Sequence, residues 1–446
     1  MNHDRKESRR HTRRHFIKAS SVASVGFWVG TTALAKTSTS PNQKLNVGVI
    51  GAGGKGYTDQ KHVGSEEFVH IAALCDVDAL RAARAFQENP EATRYHDFRD
   101  MLEKEDLDAV TISTPDHVHA VAAVMAMRKG LHVFAQKPLT RGIYESHRVL
   151  EVARETGVAT QMGNQGTAED GFRRGVEILR SGALGTVREV HVWTNRPIWP
   201  QGVATPRGYE TVPDYLQWDT WLGPAAWRPY NEGYVPFKWR GWWDFGTGAV
   251  GDMACHTCNL AFMGLELTAP TAVNVIRAVK LNHDTGPSAC VLRYEFPARG
   301  EGTVPIDFYW YEGGFTPIPE VCEGLQTGKS GCLIVGDQGR LYSANDYGSD
   351  QALYPREKFA DYRAPEPTLA RSPGHYREWL DACRGGPPAL ANFDYAAPFT
   401  AAMLVGNLAL RAGAPRIEWD AESLRVTNVP EANRFVRSEY RPGYSL

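Results

Sequence analysis

No charge of either sign dominates this sequence, and cysteine is scarce. The formal net charge is −2, which gives no electrostatic case for a nucleic-acid partner. Seven cysteines in 446 residues are too few and too scattered for a disulfide scaffold. Cys255 and Cys258 form a C-x-x-C, but no second pair completes a metal site. Asn259 follows them, so the haem-attachment pattern is missing too, and no metal is expected. Cys322 and Cys332 could close a surface hairpin. Long apolar runs are also lacking. The nearest, ASSVASVGFWVGTTALA at residues 19–35, is diluted by Ser, Thr and Gly and is too weak for a stable membrane span. There is no internal repeat.

What is present begins with a basic leader. TRRHFIK, residues 12–18, carries the pair Arg13-Arg14 followed by Phe16 and Lys18. With the moderate apolar run and the Ala33-Leu34-Ala35 cleavage pattern, residues 1–35 resemble a twin-arginine signal peptide. That predicts a periplasmic or secreted protein, exported folded, with the twin-arginine translocase as a transient partner. Residues 36–44 read as a polar linker.

LNVGVIGAGGKG follows. Val47, Val49 and Ile50 make a short apolar run suited to a buried parallel strand. Gly51, Gly53 and Gly56 complete G-x-G-x-x-G, with Ala52 and Gly54 between them. Such a turn lets backbone approach a pyrophosphate and leads into a helix N-terminus. A second strand, FVHIAALCD, ends in Asp76, about twenty residues on, where a carboxylate can take ribose hydroxyls. Its charge disfavours a 2′-phosphate, so the expected cofactor is NAD, with NADP possible. Further strand–helix units place Thr114, His119, Lys137 and Asn164 just past strand ends, where a doubly wound sheet lines its ligand crevice.

The second half reads as a sheet with one face buried. TVREVHVWTN, TAVNVIRAVK, ACVLRYEFPA and VPIDFYWYEG are β-branched or aromatic runs with partial alternation. CLIVGDQGRLYSA reads as a hairpin turning at residues 336–339. HYREWLDACRGG and AAPFTAAMLVGNLALRAG read as helices, the latter stopping at Gly413. In WRGWWDFGTGAVGDMACH, Asp252 and His256 stand at i and i+4, on one helix face. Asp252 could orient the imidazole or contact a substrate. Trp239, Trp242 and Trp243 could stack on a sugar or be core. Asn164 and Arg240 are further candidates for hydroxyl contacts.

Together these residues resemble the Gfo/Idh/MocA family of NAD(P)-dependent oxidoreductases. The resemblance rests on the glycine turn, on Thr114-Pro115 with His119, on Gln136-Lys137-Pro138, and on Asp252 with His256, in the family's order. Gln136 stands where the family usually has an acid. The resemblance implies an α/β fold: an N-terminal Rossmann doubly wound parallel sheet (residues 45–165), then a C-terminal α/β domain with an open, mostly antiparallel sheet (residues 166–446). It implies that Lys137, Asp252 and His256 are catalytic. Gly51, Ala52, Gly53, Gly54, Gly56, Asp76, Thr114, Pro115, His119, Gln136 and Lys137 would bind the cofactor. It also implies a carbohydrate substrate and a homo-oligomer through the C-terminal sheet. An exported enzyme of this kind would carry its NAD with it and regenerate it internally. It would then oxidise a hydroxyl of one sugar and reduce the carbonyl of a second. Alternatively, it would cleave a glycoside by transient oxidation, elimination, hydration and re-reduction, as the NAD-dependent glycosidases that the chain also resembles do. A non-catalytic sugar-binding protein on the same fold is a third reading.

Overall fold

In a computed structural model, residues 44–446 are described. The arginine pair, the apolar run and most of the linker lie outside the described residues. The first strand, β1 (Leu45–Ile50), is buried at every position except Asn46, as a strand covered on both faces must be. It pairs in parallel with β2 (Val69–Cys75) on one side and β4 (Ala109–Ile112) on the other. Val47 faces Ile71 and Ala109 across these two ladders. With β3 (Thr93–Tyr95), β5 (His132–Ala135) and β6 (Thr160–Met162) the sheet runs β3-β2-β1-β4-β5-β6, all parallel. The order reverses between β1 and β4. At such a switch point, loops leave in opposite directions and open a crevice beyond the carboxyl ends of the strands.

The second sheet has nine strands. They are β7 (Val187–Trp193), β8 (Ala272–Val279), β9 (Ala289–Phe296), β10 (Ile306–Glu312), β11 (Gly331–Gly336), β12 (Arg340–Ser343), β13 (Gln351–Tyr354), β14 (Arg416–Asp420) and β15 (Arg425–Val426). Their order is β13-β12-β11-β7-β10-β9-β8-β14-β15. Every pairing is antiparallel except β7 with β10. In β9 the alternation is plain. Cys290, Leu292, Tyr294 and Phe296 are buried, while Val291, Arg293 and Glu295 are half-buried on the other face. The buried face packs under the helices Gly248–Thr257, Asn259–Gly264 and Phe393–Ala412. The last of these ends at Gly413, whose φ of 63° is the left-handed cap expected of it. The expected hairpin is β11–β12, closed by Gly336 N–H donating to Gly339 O at 2.9 Å. Among the described residues, no helix is long and apolar enough to cross a membrane.

One expectation is corrected. Cys322 and Cys332 are both free. Cys332 belongs to the core under the helices, whereas Cys322 lies by Tyr311 on the opposite face, so the sheet separates them. The first sheet is also covered by a segment from late in the chain. The helix His375–Cys383 returns to it and packs Trp379, Leu380 and Cys383 against Leu45, Val47, Val63 and Phe134. Its apolar stripe was legible in the sequence, but which surface it covers was not.

One acid is buried in the second sheet without a cation. Burial raises the Glu312 carboxyl to about 7, against hydrogen bonds that include one from Trp310 Nε1 at 2.9 Å. The folded state therefore prefers the protonated form. The stability this group contributes is whole at pH values below the ordinary glutamate range and is lost as pH rises through about 7. The loss amounts to about 3 kcal/mol by pH 8. Glu312→Gln keeps the neutral shape, so its melting temperature is expected to fall less than the parent's between pH 5 and pH 8. Parallel curves for the two proteins would show that Glu312 ionises as easily folded as unfolded.

Candidate active site

A cleft of about 450 Å³ opens beyond β1, β2, β4 and β5 and runs under the segment that follows β7. Its first half is the glycine turn. Gly51 has φ of +83°, and a Cβ there would stand 2.7 Å from the Ser113 carbonyl oxygen. At Gly56 a Cβ would come within 1.6 Å of the Gly51 carbonyl oxygen. Glycine at both positions is what lets strand, turn and helix close together. Ala52 is fully buried beneath the turn. The helix Lys55–Val63 then starts from Gly54 with no side chain capping it; Gly56 N–H donates to Gly53 O at 3.1 Å, and the N–H groups before it are left for an anionic ligand. Asp76 lines the cleft and also braces the turn. Its Oδ2 accepts from Gly53 N–H at 2.8 Å and its Oδ1 from Asp78 N–H at 2.9 Å. Burial nevertheless holds its carboxyl above the usual range. These features fit a dinucleotide: close backbone, free helix-end donors and an acid at the end of β2.

Thr114, Pro115, Gln136 and Lys137 line the same cleft. His119 does not. Its ring is buried between two carbonyls, with Nδ1 2.8 Å from Pro138 O and Nε2 2.9 Å from Thr114 O. It ties the two cleft loops together rather than facing a ligand, because one helical turn carries it behind Pro115. Gln136 donates Nε2 to Asp59 Oδ2 at 2.9 Å. Asp59, fully buried, also accepts from Ser113 Oγ (2.8 Å) and Tyr376 Oη (2.7 Å) and pairs with Lys55 (2.8 Å). A carboxylate thus stands beside Gln136 after all, supplied from the first helix. Sequence reasoning missed it, since an acid four residues from a lysine on a helix reads as a solvated pair.

The second half of the cleft brings Lys137 to Asp252. Lys137 Nζ lies 2.8 Å from Asp252 Oδ1 and donates to its backbone carbonyl at 3.0 Å. Arg240 Nε lies 3.1 Å from the same Oδ1, and its Nη1 lies 3.0 Å from Asp116 Oδ1. Asp116 is fully buried and accepts twice more, from Thr247 N–H and Oγ1. Burial by itself would raise the Asp252 carboxyl, but Lys137 and Arg240 overcome it and hold it well below the usual range. Arg240 lines the cleft, yet its Nε and Nη1 are taken by acids and its guanidinium lies 4.4 Å from the Trp239 ring centre. Its first role is therefore to hold Asp252, not to read hydroxyls. Trp199, Trp221, Phe237 and Trp239 wall this half, while Trp242 and Trp243 are core. Asp116 was missed because an acid in the first turn of a helix reads as an ordinary end-charge.

His256 sits one turn beyond Asp252, only 5% exposed and, like Asn164, behind the residues that line the cleft, but Asp252 does not orient it. Asn164 does. The Asn164 amide donates Nδ2–H to Cys255 O, so its Oδ1 is the acceptor, 2.9 Å from His256 Nδ1. The imidazole proton is thereby placed on Nδ1, and Nε2 keeps its lone pair. Asn164 is fully buried and serves the histidine rather than a substrate hydroxyl. Burial, then the charge of Lys137, pushes the imidazolium well below its ordinary range, so His256 is neutral at working pH. Tyr347 meets its ring edge-on at 5.1 Å and accepts a hydrogen bond from Gln165, which reaches the cleft. Among the described residues, no group of three or more His, Cys, Asp or Glu side chains is placed to hold a metal.

Two domain models of one family match this chain: its oxidoreductase family, NAD-binding Rossmann fold, over residues 45–164, and its C-terminal alpha/beta domain over residues 185–294. Together they cover about half of the chain. A glycosyl hydrolase family 109 protein of Shewanella woodyi is 34% identical over 121 residues, 25% of this chain and 26% of that protein. An inositol 2-dehydrogenase of Salmonella paratyphi B is 29% identical over 150 residues, 33% of this chain and 45% of that protein. The chain thus matches less than half the length of either relative. Among solved structures, the WlbA dehydrogenase of Bordetella pertussis, in complex with NADH and UDP-GlcNAcA, superposes with a TM-score of 0.60 at 16% identity. That superposition covers 85% of this chain and 98% of the dehydrogenase, and it establishes a shared fold.

Asp252→Asn is expected to leave Lys137 and Arg240 buried against a single remaining carboxylate, Asp116. Urea unfolding should show a loss of about 3–5 kcal/mol. A loss below about 1 kcal/mol would mean that the four charges do not stabilise the fold as a unit.

Proposed function

This chain belongs to the Gfo/Idh/MocA oxidoreductase family, and from that premise we propose that it oxidises a secondary hydroxyl of a sugar or sugar derivative. The observation that carries the reading is the Lys137–Asp252 pair. It stands where the glycine-turn half of the cleft meets the half walled by Trp199, Phe237 and Trp239. NAD, held by the turn, by Asp76 and by Thr114 and Gln136, would supply the hydride acceptor. An ammonium group has three donors, and Lys137 gives two to Asp252. The third is left for the substrate oxygen. The charge that develops on that oxygen meets a cation already fixed in place. His256, neutral and with its lone pair on Nε2, takes the hydroxyl proton. A weak base is sufficient, because the ammonium of Lys137 takes up the negative charge that the departing proton leaves on the oxygen. Asn164 keeps the ring in the one tautomer that can accept.

A second reading uses the same residues. If a sugar were oxidised at C3, the carbonyl would acidify the C2 proton. Loss of the C1 substituent, addition of water and re-reduction would then cleave a glycoside with no net redox change. The glycosyl-hydrolase name of the Shewanella woodyi relative supports this alternative. In either case the leader at residues 12–18 supports export by the twin-arginine route, to the periplasm or beyond. Because NAD is a cytoplasmic compound, the exported protein would carry it bound and recycle it within the site. The half-exposed face of the nine-stranded sheet, with Tyr309 and Arg293, is the surface through which copies would associate. Recovery of the protein outside the cytoplasm with dinucleotide bound, read by mass spectrometry, checks the export reading. An empty protein confined to the cytoplasm refutes it.

Lys137→Ala is expected to bind NAD as the parent does and to lose turnover by at least about 10³-fold. Unchanged turnover removes Lys137 from the reaction. With aryl glycosides and no added NAD, release of the aglycone without accumulating NADH selects the glycosidase. A requirement for a second sugar as acceptor selects the oxidoreductase.

A further inference from the structure

A second cleft, about 990 Å³ and apart from the glycine turn, is faced by four arginines: Arg141, Arg411, Arg434 and Arg437. Arg141 lies four residues beyond Lys137. Arg411 is in the last turn of the helix Phe393–Ala412, and Arg434 and Arg437 lie within and just after the turn Pro430–Phe435. Arg141 is anchored: Nη1 donates to Trp243 O at 2.9 Å and Nη2 to Ser438 Oγ at 2.8 Å, while its buried Nε has no partner. The other three rest on aromatic rings. Arg411 and Arg434 both lie 4.6 Å from the Phe435 ring centre, and Arg437 lies 4.6 Å from that of Tyr144. A ring face attracts a guanidinium but does not neutralise it. Among the described residues, none of these three makes an ion pair with a carboxylate.

The nearby acids are already engaged. Glu145 accepts from the backbone N–H groups of Arg141 and Gly142 through Oε2 and from Tyr440 through Oε1, lies 3.9 Å from Arg141 Nη2, and is the acid that acts on Arg411. Asp244 pairs with Arg228. Glu439 also faces the cleft, and among the residues that line it four guanidinium groups stand against the carboxylates of Asp244 and Glu439. Two cations on one ring repel each other unless something negative lies between them. Burial, with the charges of Arg141 and Arg434, pushes the Arg411 guanidinium down to about 9.

We propose that this cleft binds a tetrahedral oxyanion, phosphate or sulfate, free or carried as an ester, between the guanidinium groups of Arg411, Arg434 and Arg437. Planar guanidinium forks match such oxygens in pairs, and rings beneath them keep the forks in place. The site adjoins the chemistry without taking part in it. Arg141 follows Lys137 in the chain and holds the Trp243 carbonyl, at the start of the segment that leads to Asp252. An anion here would fasten the two segments whose ends meet as the Lys137–Asp252 pair.

The test is a melting experiment on the full protein with inorganic phosphate and with sulfate, against chloride at matched ionic strength. The parent is expected to show a saturable rise in melting temperature with phosphate or sulfate beyond that with chloride. Arg434→Gln and Arg437→Gln, both on the surface, should each lose most of that rise. In buffer without either anion, Arg434→Gln should melt no lower than the parent, because it relieves repulsion at Arg411. A sulfated oligosaccharide that acts at lower concentration than free sulfate would identify the ester as the source. The reverse order would identify the free ion. The proposal is overturned if phosphate and sulfate do no more than chloride, or if both variants gain as much as the parent. Neither result bears on the sugar chemistry, which this measurement does not read.

Discussion

Four alternating charges hold this molecule's two halves in working order. Lys137 comes from the end of a strand in the first sheet and Asp116 from the first turn of a helix beside it. Asp252 and Arg240 come from the second domain. The chain Lys137–Asp252–Arg240–Asp116 crosses the junction twice. Each cation lies against a carboxylate, so charge can be buried there without an uncompensated excess of either sign. The same contacts set the position of Lys137 in the cleft. Domain docking and placement of the Lys137 ammonium are therefore one interaction.

Around that chain the polar groups divide by charge. His256 and Asn164 form a neutral pair in a buried pocket, where an imidazolium would be costly. Asp59 gathers four donors beneath Gln136, close to the glycine turn. Gln201 links the aromatic wall to the helix Gly248–Thr257: its Oε1 accepts from Trp199 Nε1 at 2.7 Å and from Ala249 N–H at 3.1 Å. That wall is thus tied to the helix that carries Asp252.

Much of the fold was legible because its signals are local. The apolar run of β1, the glycine turn and Asp76 lie within one strand–helix–strand unit, and each is constrained by near neighbours in the chain. The alternation of β9 and the glycine stop of the last long helix are equally local. The site was legible in its residue types more than in its partnerships. Asp252 and His256 are one turn apart and invite the inference that they pair. In the folded chain Asp252 is drawn to two cations across the junction, and Asn164 takes the histidine. His119 fits a cofactor pattern, yet the helix rotates its ring behind the cleft. Cys322 and Cys332 are ten residues apart, yet a sheet lies between them.

By itself the sequence determined many of the elements, the glycine turn and the residue types that gather at the cleft. These follow from backbone sterics and apolar periodicity, which act over a few residues. Tertiary structure alone decided which acid neutralises which base, which helix covers the first sheet, and where four arginines converge without enough carboxylates. Those outcomes depend on groups far apart in the chain competing for the same partner. Coulombic and desolvation energies change steeply over a few ångströms, and spacing along the chain carries no such distance.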